Sequence, residues 1–283
     1  MADSPKRNVD PDVAEGFGRE WSTFRQREHE LPSEQRAAIF RAYFKIFPWE
    51  ALPTGGGIGI DVGCGSGRWS MLVAPRVAHL HLLDVSQQAL AVAKENLAGA
   101  SNVSFHLASA SEIPLPPQSL DFAFSLGVLH HVPDTQAAIE HIAGKLKLGA
   151  PFLLYLYYAL DNRPAWYRLL WLASNLLRLI MARLPHPLRL MLSQLIAAFV
   201  YWPLARAAQF ISKAGISPQA LPLAWYRDKS FYVMRTDAYD RFCTKLEKRF
   251  TQAEIAHMLT RAGFEKIRFS DAEPYWCALG IKR

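Results

Sequence analysis

The chain has 283 residues, of which 51% are apolar and 20% charged, with a formal net charge of +7. This composition is typical of a folded globular protein with a sizeable core. The three cysteines Cys64, Cys243 and Cys277 form no CxxC pair, which argues against a zinc site or an iron–sulfur cluster and favours a reducing compartment. The basic charge permits contact with nucleic acid or membrane headgroups.

The first residues, MADSPKRNVDPDV, lack the apolar core of a signal peptide, so we expect a cytoplasmic protein. The stretch 166–205 is rich in Leu and Trp and challenges that expectation. A membrane-spanning helix needs about 20 apolar residues in a row, whereas arginines interrupt this stretch and Pro185 and Pro187 break any helix. We therefore expect two or three buried amphipathic helices here.

Apolar and helical segments alternate along the first half of the chain. After a helical region at 13–47, the pattern predicts strands at 58–63, 77–86, 102–109, 120–129 and 151–159, with helices at 68–76, 87–99 and 134–149. This alternation predicts a doubly wound parallel α/β sheet. Residues 160–248 interrupt it. A helix at 251–264, with a capping box at Thr251 and Glu254, and two final strands complete the pattern.

The stretch GIGIDVGCGSGRWS, residues 57–70, reads as a strand that runs into a glycine-rich turn. A dinucleotide fold would place a third glycine where Arg68 stands, and the lysine of a P-loop is missing. Glycines at 63, 65 and 67 would let the polar tail of a ligand approach the backbone, and the helix start would face a carboxylate. Asp84, at the end of the second strand, is placed to accept hydrogen bonds from a ribose diol. The ligand therefore has a ribose and a carboxylate tail.

Four stretches in order resemble the motifs of class I S-adenosylmethionine-dependent methyltransferases, in the branch that acts on small molecules and quinones. They are DVGCGSG, LLDVS, ASEIPLPPQSLDFAFSLGVLHHVPD and LKLGAPFLL. The resemblance covers roughly residues 57–158 and resumes at 250–283. It implies S-adenosylmethionine as cofactor and a seven-stranded Rossmann-like sheet whose last strand is antiparallel, here with a helical insertion after strand 5.

The resemblance also implies site residues. It assigns Asp61, Gly63, Cys64, Gly65 and Gly67 to the methionine end of the cofactor, Asp84 to the ribose hydroxyls and Val85 to the adenine. Ser109, followed by Ala110, stands where relatives often have an acid that binds the adenine amine, so a hydroxyl or only the backbone takes that role. Leu126 ends the fourth strand, beside the methyl group. Cys64 is expected to be a small packing residue, and no metal site is expected.

The candidate general base lies in LHHVPD, where His130 and His131 follow the fourth strand. The alternative is that one histidine packs in the core and the other orients a loop. Asp134 is expected to cap a helix. Nucleic acid is not the expected acceptor, because the Asp/Asn-Pro-Pro-aromatic motif and the Pro-Cys nucleophile of such enzymes are both missing.

Three regions are expected. Residues 1–50 would form an N-terminal helical lid, with Phe17 and Trp21 over the cofactor or acceptor. Residues 51–159 and 249–283 would form the core that binds S-adenosylmethionine. Residues 160–248 would form an aromatic-rich helical cap that binds the acceptor, and residues 160–215 could instead contact a membrane surface. Tyr157, Tyr232 and Arg235 are candidate acceptor contacts, although the stretch near Tyr232 could equally be a salt-bridged surface hairpin.

The predicted function is methyl transfer to a small or amphipathic metabolite at oxygen or sulfur, including a small thiol. One alternative is a lipid or quinone-like acceptor at the membrane surface. An alternative of another class is a non-catalytic regulatory protein that binds S-adenosylmethionine.

Overall fold

A computed structural model describes residues 8–26 and 30–283. It contains one seven-stranded sheet in the order β3-β2-β1-β4-β5-β7-β6, in which β7 runs antiparallel to both of its neighbours. The strands are β1 (Ile58–Val62), β2 (His79–Asp84), β3 (Val103–Leu107), β4 (Phe122–Leu126), β5 (Pro151–Tyr155), β6 (Phe264–Phe269) and β7 (Cys277–Lys282). The predicted Rossmann-like fold class is confirmed.

Ten α-helices are present among the described residues. They are α1 (Pro11–Thr23), α2 (Ser33–Tyr43), α3 (Ser70–Val73), α4 (Gln87–Asn96), α5 (Thr135–Lys145), α6 (Ala165–Met181), α7 (His186–Ile196), α8 (Trp202–Lys213), α9 (Phe231–Cys243) and α10 (Gln252–Arg261). The four helices α6 to α9 lie between β5 and α10 in the chain. The helical region predicted at 13–47 is therefore two helices, and residues 1–7 and 27–29 of the predicted lid lie outside the described residues.

Side-chain caps fix the starts of the helices that flank the sheet. The Ser86 hydroxyl accepts from the Ala89 N–H, and the Asp134 carboxylate accepts from the Ala137 N–H. Thr251 and Glu254 form the predicted capping box of α10. Each cap satisfies N–H groups that have no partner within their own helix. Helix α4 thus begins beside the end of β2, and α5 begins shortly after β4.

The main core lies between the sheet and the helices α5 and α10. Ile60, Phe152, Ile139 and Leu259 are fully buried there and belong to one continuous apolar cluster. Neighbouring strands approach closely where side chains are small, as at Gly59, where a Cβ atom would lie 2.0 Å from the ring of Phe122. The five parallel strands β1 to β5 therefore present their carboxyl ends at one edge of a rigid sheet, where ligands bind in such folds.

The chain divides into two compact units. The first contains residues 8–26, Arg36–Asp161 and Leu246–Arg283 and includes the whole sheet. The second contains residues 30–35 and Asn162–Lys245 and includes α6 to α9. The expected N-terminal lid is thus shared between the two units.

The second unit has a small core of its own, in which α9 is the most buried helix. Met234, Ala238 and Phe242 of α9 pack against Ala197 and Ala205 of the neighbouring helical run. The prediction of buried helices at 166–205 is wrong, because many apolar side chains of α6, α7 and α8 are exposed. Mostly small or polar side chains face inward instead, so the apolar side of each helix is left outside.

Helices α7 and α8 form one continuous run, His186–Lys213, although the sequence places Pro203 within it. Residues Ala197–Tyr201 are π-helical, and the Trp202 N–H donates to the Ala197 carbonyl five residues earlier. This wider turn accommodates the proline ring and its missing N–H. Among the described residues, this is the one helix whose length and composition would allow it to cross a membrane. Of its most apolar stretch of 18 residues, 22% is buried.

Three histidines share one face of the outer strands β2 and β3. His81 Nδ1 lies 3.0 Å from His106 Nε2, and His79 Nε2 lies 2.9 Å from the Ser104 hydroxyl. Burial, together with the neighbouring His79 and His106, lowers the pKa of His81 to about 4. The pKa of His106 is also lowered, by burial and by His79. The folded state therefore takes up fewer protons here than the unfolded state.

We expect this cluster to make the folded state less stable in acid. Because the pKa values in the folded state lie below the ordinary 6.5, the cluster contributes fully to the free energy of unfolding above pH 6.5. This contribution falls as the pH drops towards 4. His81→Gln should flatten that loss, and His257→Gln, on the exposed side of α10, should not. Urea unfolding between pH 4 and 7 measures both. If the free energy of unfolding had the same slope against pH in wild type and in His81→Gln, the role of His81 in this acid sensitivity would be contradicted. Comparing variants cancels the opposing contribution that other buried titratable groups make to the slope.

Candidate active site

The glycine-rich turn after β1 has a backbone that only glycine adopts without strain. Gly63, Gly65 and Gly67 have φ values of +78°, +54° and +75°, in the left-handed region that L side chains disfavour by roughly 1–2 kcal/mol each. The N–H groups of Gly63 and Cys64 both donate to the Leu83 carbonyl, at 2.7 and 3.0 Å. The turn is thereby held against the end of β2.

The space above these glycines is filled by the protein itself. A Cβ atom at Gly63 would lie 2.3 Å from Val128, one at Gly65 would lie 2.7 Å from the indole of Trp21, and one at Gly67 would lie 2.6 Å from Leu97. The sequence suggested that small residues let a ligand approach. The structure shows that they also let the side chains of three other segments close over the turn.

Asp84 joins the turn to the end of β2. Its carboxylate accepts hydrogen bonds from the Gly65 N–H at 2.9 Å and from the Ser86 N–H at 2.8 Å. Burial raises the pKa of Asp84, and the backbone donors at Ser86 and Gly65 oppose that shift. The two carboxylate oxygens offer about four acceptor sites, so the backbone donors at Ser86, Gly65 and Val85 leave acceptor capacity for a ribose hydroxyl. The next residue, Val85, exposes 38% of its surface, as an apolar contact for a flat ring would.

Two buried titratable groups lie at the end of β1 and in the turn that follows it. Asp61 accepts a hydrogen bond from the Ser70 hydroxyl at 2.6 Å, and burial raises its pKa to about 7. Burial also raises the pKa of Cys64 well above its usual range, with Asp84 and Asp61 adding to the shift. A buried thiol of this kind is not a nucleophile at neutral pH, in agreement with a packing role for Cys64.

The ends of β3 and β4 complete the edge of the sheet. The Ser109 hydroxyl is buried and accepts from the Ser111 N–H at 3.3 Å, and Ala110 beside it is buried too. Leu126 is buried at the end of β4, whereas a Cβ atom at the next residue, Gly127, would have no atom within 4 Å among the described residues. Open space therefore begins where β4 ends, beside the glycine-rich turn.

His130 and His131 lie directly after β4 and are both buried. The His130 ring lies between Tyr157, at a centroid distance of 3.8 Å, and His131, at 4.0 Å. Neither ring nitrogen of His130 has a hydrogen-bond partner among the described residues. Burial lowers the pKa of His130 well below its usual range, with His131 and Arg249 contributing. His130 is therefore neutral at pH 7.

The tautomer of His131 follows from its partner. Its Nδ1 lies 2.6 Å from the Leu246 carbonyl, which can only accept. Nδ1 therefore carries the hydrogen, and in the neutral ring Nε2 carries the basic lone pair. The sequence indicated the two histidines as candidate bases. The different groups that surround each ring and the tautomer of His131 become evident only in the folded structure.

Helix α1 contacts both parts of the site. Phe17 lies 4.9 Å from the His131 ring, between centroids, and Trp21, one turn later, lies on Gly65. The Arg68 guanidinium lies 5.7 Å from the centre of the Trp21 ring. Ahead of the helix, Asn8 exchanges hydrogen bonds with the backbone of Asp134, at 2.6 and 2.7 Å. Phe17 and Trp21 thus contact His131 and Gly65, and their predicted role over the cofactor or acceptor stays a prediction.

The predicted acceptor contacts belong to both compact units. Tyr157 belongs to the site through His130. Tyr232 and Arg235 lie on α9 in the second unit, where Tyr232 donates to Glu30 at 3.3 Å and Arg235 donates to the side chain of Gln194. These bonds fix both side chains within that unit.

Two residues that support the candidate site were not predicted from the sequence. Asn96 at the end of α4 donates to the carbonyls of Ser66 and Arg25, at 2.9 and 2.8 Å, and so fastens the turn to the segment after α1. Arg249 lies over the Tyr157 ring at 5.4 Å. Both come from distant parts of the chain, and no local motif marks them.

The residues present fit a nucleoside cofactor with an amino-acid tail. A carboxylate with spare acceptor capacity, Asp84, stands beside an exposed apolar Val85 and the glycine-rich turn. Within that turn the Ser66 hydroxyl is buried without a partner among the described residues, a polar group that a ligand could satisfy. The described residues contain no cluster of three or more His, Cys, Asp and Glu side chains that could hold a metal.

Comparisons with known proteins agree with this geometry. Residues 60–154, which run from β1 to β5, match the family model of a methyltransferase domain. An uncharacterized methyltransferase of Bacillus subtilis is 29% identical over 105 residues, 36% of this chain and 42% of that protein. A demethylmenaquinone methyltransferase of Listeria monocytogenes is 30% identical over 112 residues, 38% of this chain and 47% of that protein. The chain thus spans less than half the length of each.

The fold also has a counterpart among solved structures. A methyltransferase from Thermotoga maritima aligns with 96% of this chain and 100% of its own, at a TM-score of 0.51 and 13% identity. At that identity the likeness establishes the fold only.

Asp84→Asn tests the expected cofactor contact. The amide keeps the size of the carboxylate but removes its charge and one acceptor, and a hydrogen bond to a charged group contributes about 1.5–3 kcal/mol. We expect the Kd of S-adenosylmethionine in isothermal titration to rise about 10- to 100-fold.

Asp121→Asn is the matched control for this substitution. The Asp121 carboxylate also accepts from a backbone N–H, that of Ile58 at 2.8 Å, but at the opposite ends of the strands. Thermal unfolding verifies that both variants fold. Equal affinity in wild type and Asp84→Asn would contradict the assignment of Asp84.

Proposed function

We propose that this chain, whose residues 60–154 are a class I S-adenosylmethionine-dependent methyltransferase domain, transfers a methyl group to oxygen or sulfur of a small or amphipathic acceptor. The observation that carries the proposal is the left-handed turn at Gly63, Gly65 and Gly67, tied to Asp84 at the ends of two adjacent parallel strands.

Different parts of the cofactor are expected to contact different residues at the carboxyl ends of the parallel strands. Asp84 would hold the ribose hydroxyls, Val85 would lie against the adenine, and the turn would receive the methionine end. Ser109 and Ala110 would face the adenine amine. When bound, S-adenosylmethionine supplies an electrophilic methyl group on a cationic sulfonium. The protein's part in such a displacement is to align the acceptor and to exclude water.

The acceptor must offer a lone pair, and a hydroxyl must lose its proton to do so. His131 is suited to take that proton at Nε2, because the Leu246 carbonyl keeps the hydrogen on Nδ1. His130 is suited to receive a hydrogen bond or to donate one, because it is neutral and has no partner among the described residues. Phe17 and Tyr157 surround the two rings with aromatic surface, which favours a dry site.

The chemistry of this site favours acceptors that need a base or are partly ionised already. A hydroxyl needs His131, whereas a thiol with an ordinary pKa near 8.5 is partly ionised at neutral pH. The similarity to a demethylmenaquinone methyltransferase favours a quinone-like acceptor as the second candidate. A cytoplasmic location, with peripheral membrane contact, remains a prediction.

Turnover separates an enzyme from a regulatory protein that only binds the cofactor. We expect release of S-adenosylhomocysteine with at least one member of a panel that contains a small thiol, a phenol and a short-chain hydroquinone, with a primary amine as the contrasting acceptor. Cofactor binding without turnover on the whole panel would favour the regulatory alternative. Turnover on the amine alone would contradict transfer to oxygen or sulfur.

His131→Gln tests the proposed base. With a hydroxyl acceptor we expect kcat to fall about 10²- to 10⁴-fold, the usual contribution of general base catalysis, while the Kd of S-adenosylmethionine stays within about twofold. With a thiol acceptor we expect a smaller loss that is recovered near pH 9, where the thiol ionises by itself. His257→Gln serves as the control. A hydroxyl-dependent kcat unaffected by His131→Gln would remove His131 from the mechanism.

A further inference from the structure

The helices of the second unit expose an unusually large apolar surface. On α6 the exposed apolar side chains are Leu169, Leu170, Leu172, Leu176, Leu177 and Ile180, each with 43% to 66% of its surface accessible. Leu169, Leu172, Leu176 and Ile180 recur every three or four residues, so they form one stripe along the helix. Trp166 extends this stripe at its amino-terminal end.

The continuous run of α7 and α8 carries a second stripe. Its exposed members include Leu188, Met191, Leu195, Phe199, Trp202 and Phe210, and Phe199 and Phe210 each expose 75% of their surface. We call these two stripes together the outer apolar face. Scattered surface hydrophobics are ordinary, but contiguous apolar stripes over several helical turns mark an interaction surface.

The inner sides of the same helices combine polar and small side chains with a few larger apolar ones, among them Met181 and Tyr201. Arg178 of α6 is buried and donates to the carbonyls of Thr244 and Lys245, at 2.8 and 3.0 Å. Ser174 of α6 accepts from Arg241 of α9 at 3.1 Å. On α7 and α8 the buried positions include Ser193, Ala197, Ala205 and Ala208. Both helical segments thus expose many of their large apolar side chains, whereas an ordinary surface helix turns its apolar side to the core.

Charge restricts what can cover the outer apolar face. Residues 162–227 contain eight Lys and Arg and no Asp or Glu, which exceeds the net charge of +7 for the whole chain. Arg168, Arg183 and Lys213 are exposed at or near the ends of the helices that carry the face. A second copy of this chain would oppose one cationic surface with another. An anionic surface would be attracted instead.

The packing of the second unit indicates whether its long helix would cross a membrane or lie on the membrane surface. Ala197, Tyr201 and Ala205 of the long run pack against Met234 and Ala238 of α9. A helix that crossed a bilayer would have to abandon this core, and it would carry Arg189 and Arg206 with it. A helix that lies in the plane of a membrane keeps one side packed and buries only the other.

We propose that the outer apolar face docks on the surface of an anionic lipid bilayer, with the apolar stripes at the level of the headgroup–acyl boundary and the exposed cations at the phosphates. Trp166 and Trp202 have the amphipathic rings that are enriched at this level of a membrane. The docking does not depend on the proposed methyl transfer, although it would bring an amphipathic acceptor and the enzyme to the same surface.

Flotation of the full chain with vesicles tests this docking. We expect it to float with vesicles of phosphatidylglycerol and phosphatidylcholine, to bind pure phosphatidylcholine about tenfold less, and to release as NaCl is raised from about 0.1 to 0.5 M. Leu176→Glu combined with Phe199→Glu should reduce binding about tenfold or more. Leu148→Glu, at a position of the first unit that is 70% exposed, should not change it.

The remaining outcomes each overturn the proposal. No flotation with either vesicle would do so, as would equal binding of the double variant. Retention on the vesicles after alkaline carbonate extraction would indicate a spanning helix. A double variant that loses only self-association, measured by sedimentation, would assign the face to a second copy. Circular dichroism and S-adenosylmethionine titration verify that the variants fold, so failure of docking and failure of cofactor binding are read separately.

Discussion

The hydrogen bond between the Gly65 N–H and the Asp84 carboxylate, 2.9 Å long, is the contact on which the candidate site depends. It joins the turn after β1 to the end of β2, and the Leu83 carbonyl adds two bonds from the same turn. A carboxylate buried at this point needs such donors, because burial alone favours its protonated form. One of these donors, the Gly65 N–H, belongs to a turn that only glycine forms without strain, so the position of Asp84 and the glycines at 63, 65 and 67 depend on one another.

Helix α1 connects the glycine-rich turn, where the cofactor is expected, with His131, the proposed base. Trp21 occupies the space that a side chain at Gly65 would need, and Phe17 reaches His131 one turn earlier. The helix is held at both ends, by Asn8 near Asp134 and by the bond from Asn96 to the Arg25 carbonyl. Movement of α1 would therefore alter both ends of the site together. A single helix thus couples access to the glycine-rich turn with the surroundings of the proposed base.

Local patterns in the sequence were sufficient for the sheet and for the turn. The alternation of strands and helices, the glycines and Asp84 each act through neighbours in the chain, and the caps at Asp134 and Thr251 formed as predicted. Contacts across large separations were not accessible in this way. The approach of Trp21 to Gly65 and the Nδ1 partner of His131 depend on how distant segments pack. The density of polar and aromatic residues suggested Tyr232 and Arg235 as acceptor contacts, which stays a prediction; both make hydrogen bonds within the second unit.

The second unit shows why periodicity could not settle the orientation of its helices. An amphipathic pattern gives the apolar side of a helix, but which side faces inward depends on what the neighbouring element offers. Here the carbonyls that follow α9 accept hydrogen bonds from Arg178, and these bonds hold the polar side of α6 inward. Breaking them would remove two acceptors from a buried cation, which costs free energy because a buried charge needs partners. The apolar side must then face outward, and since exposed Leu and Phe gain about 25 cal/mol per Å² when removed from water, a surface that covers them is favoured.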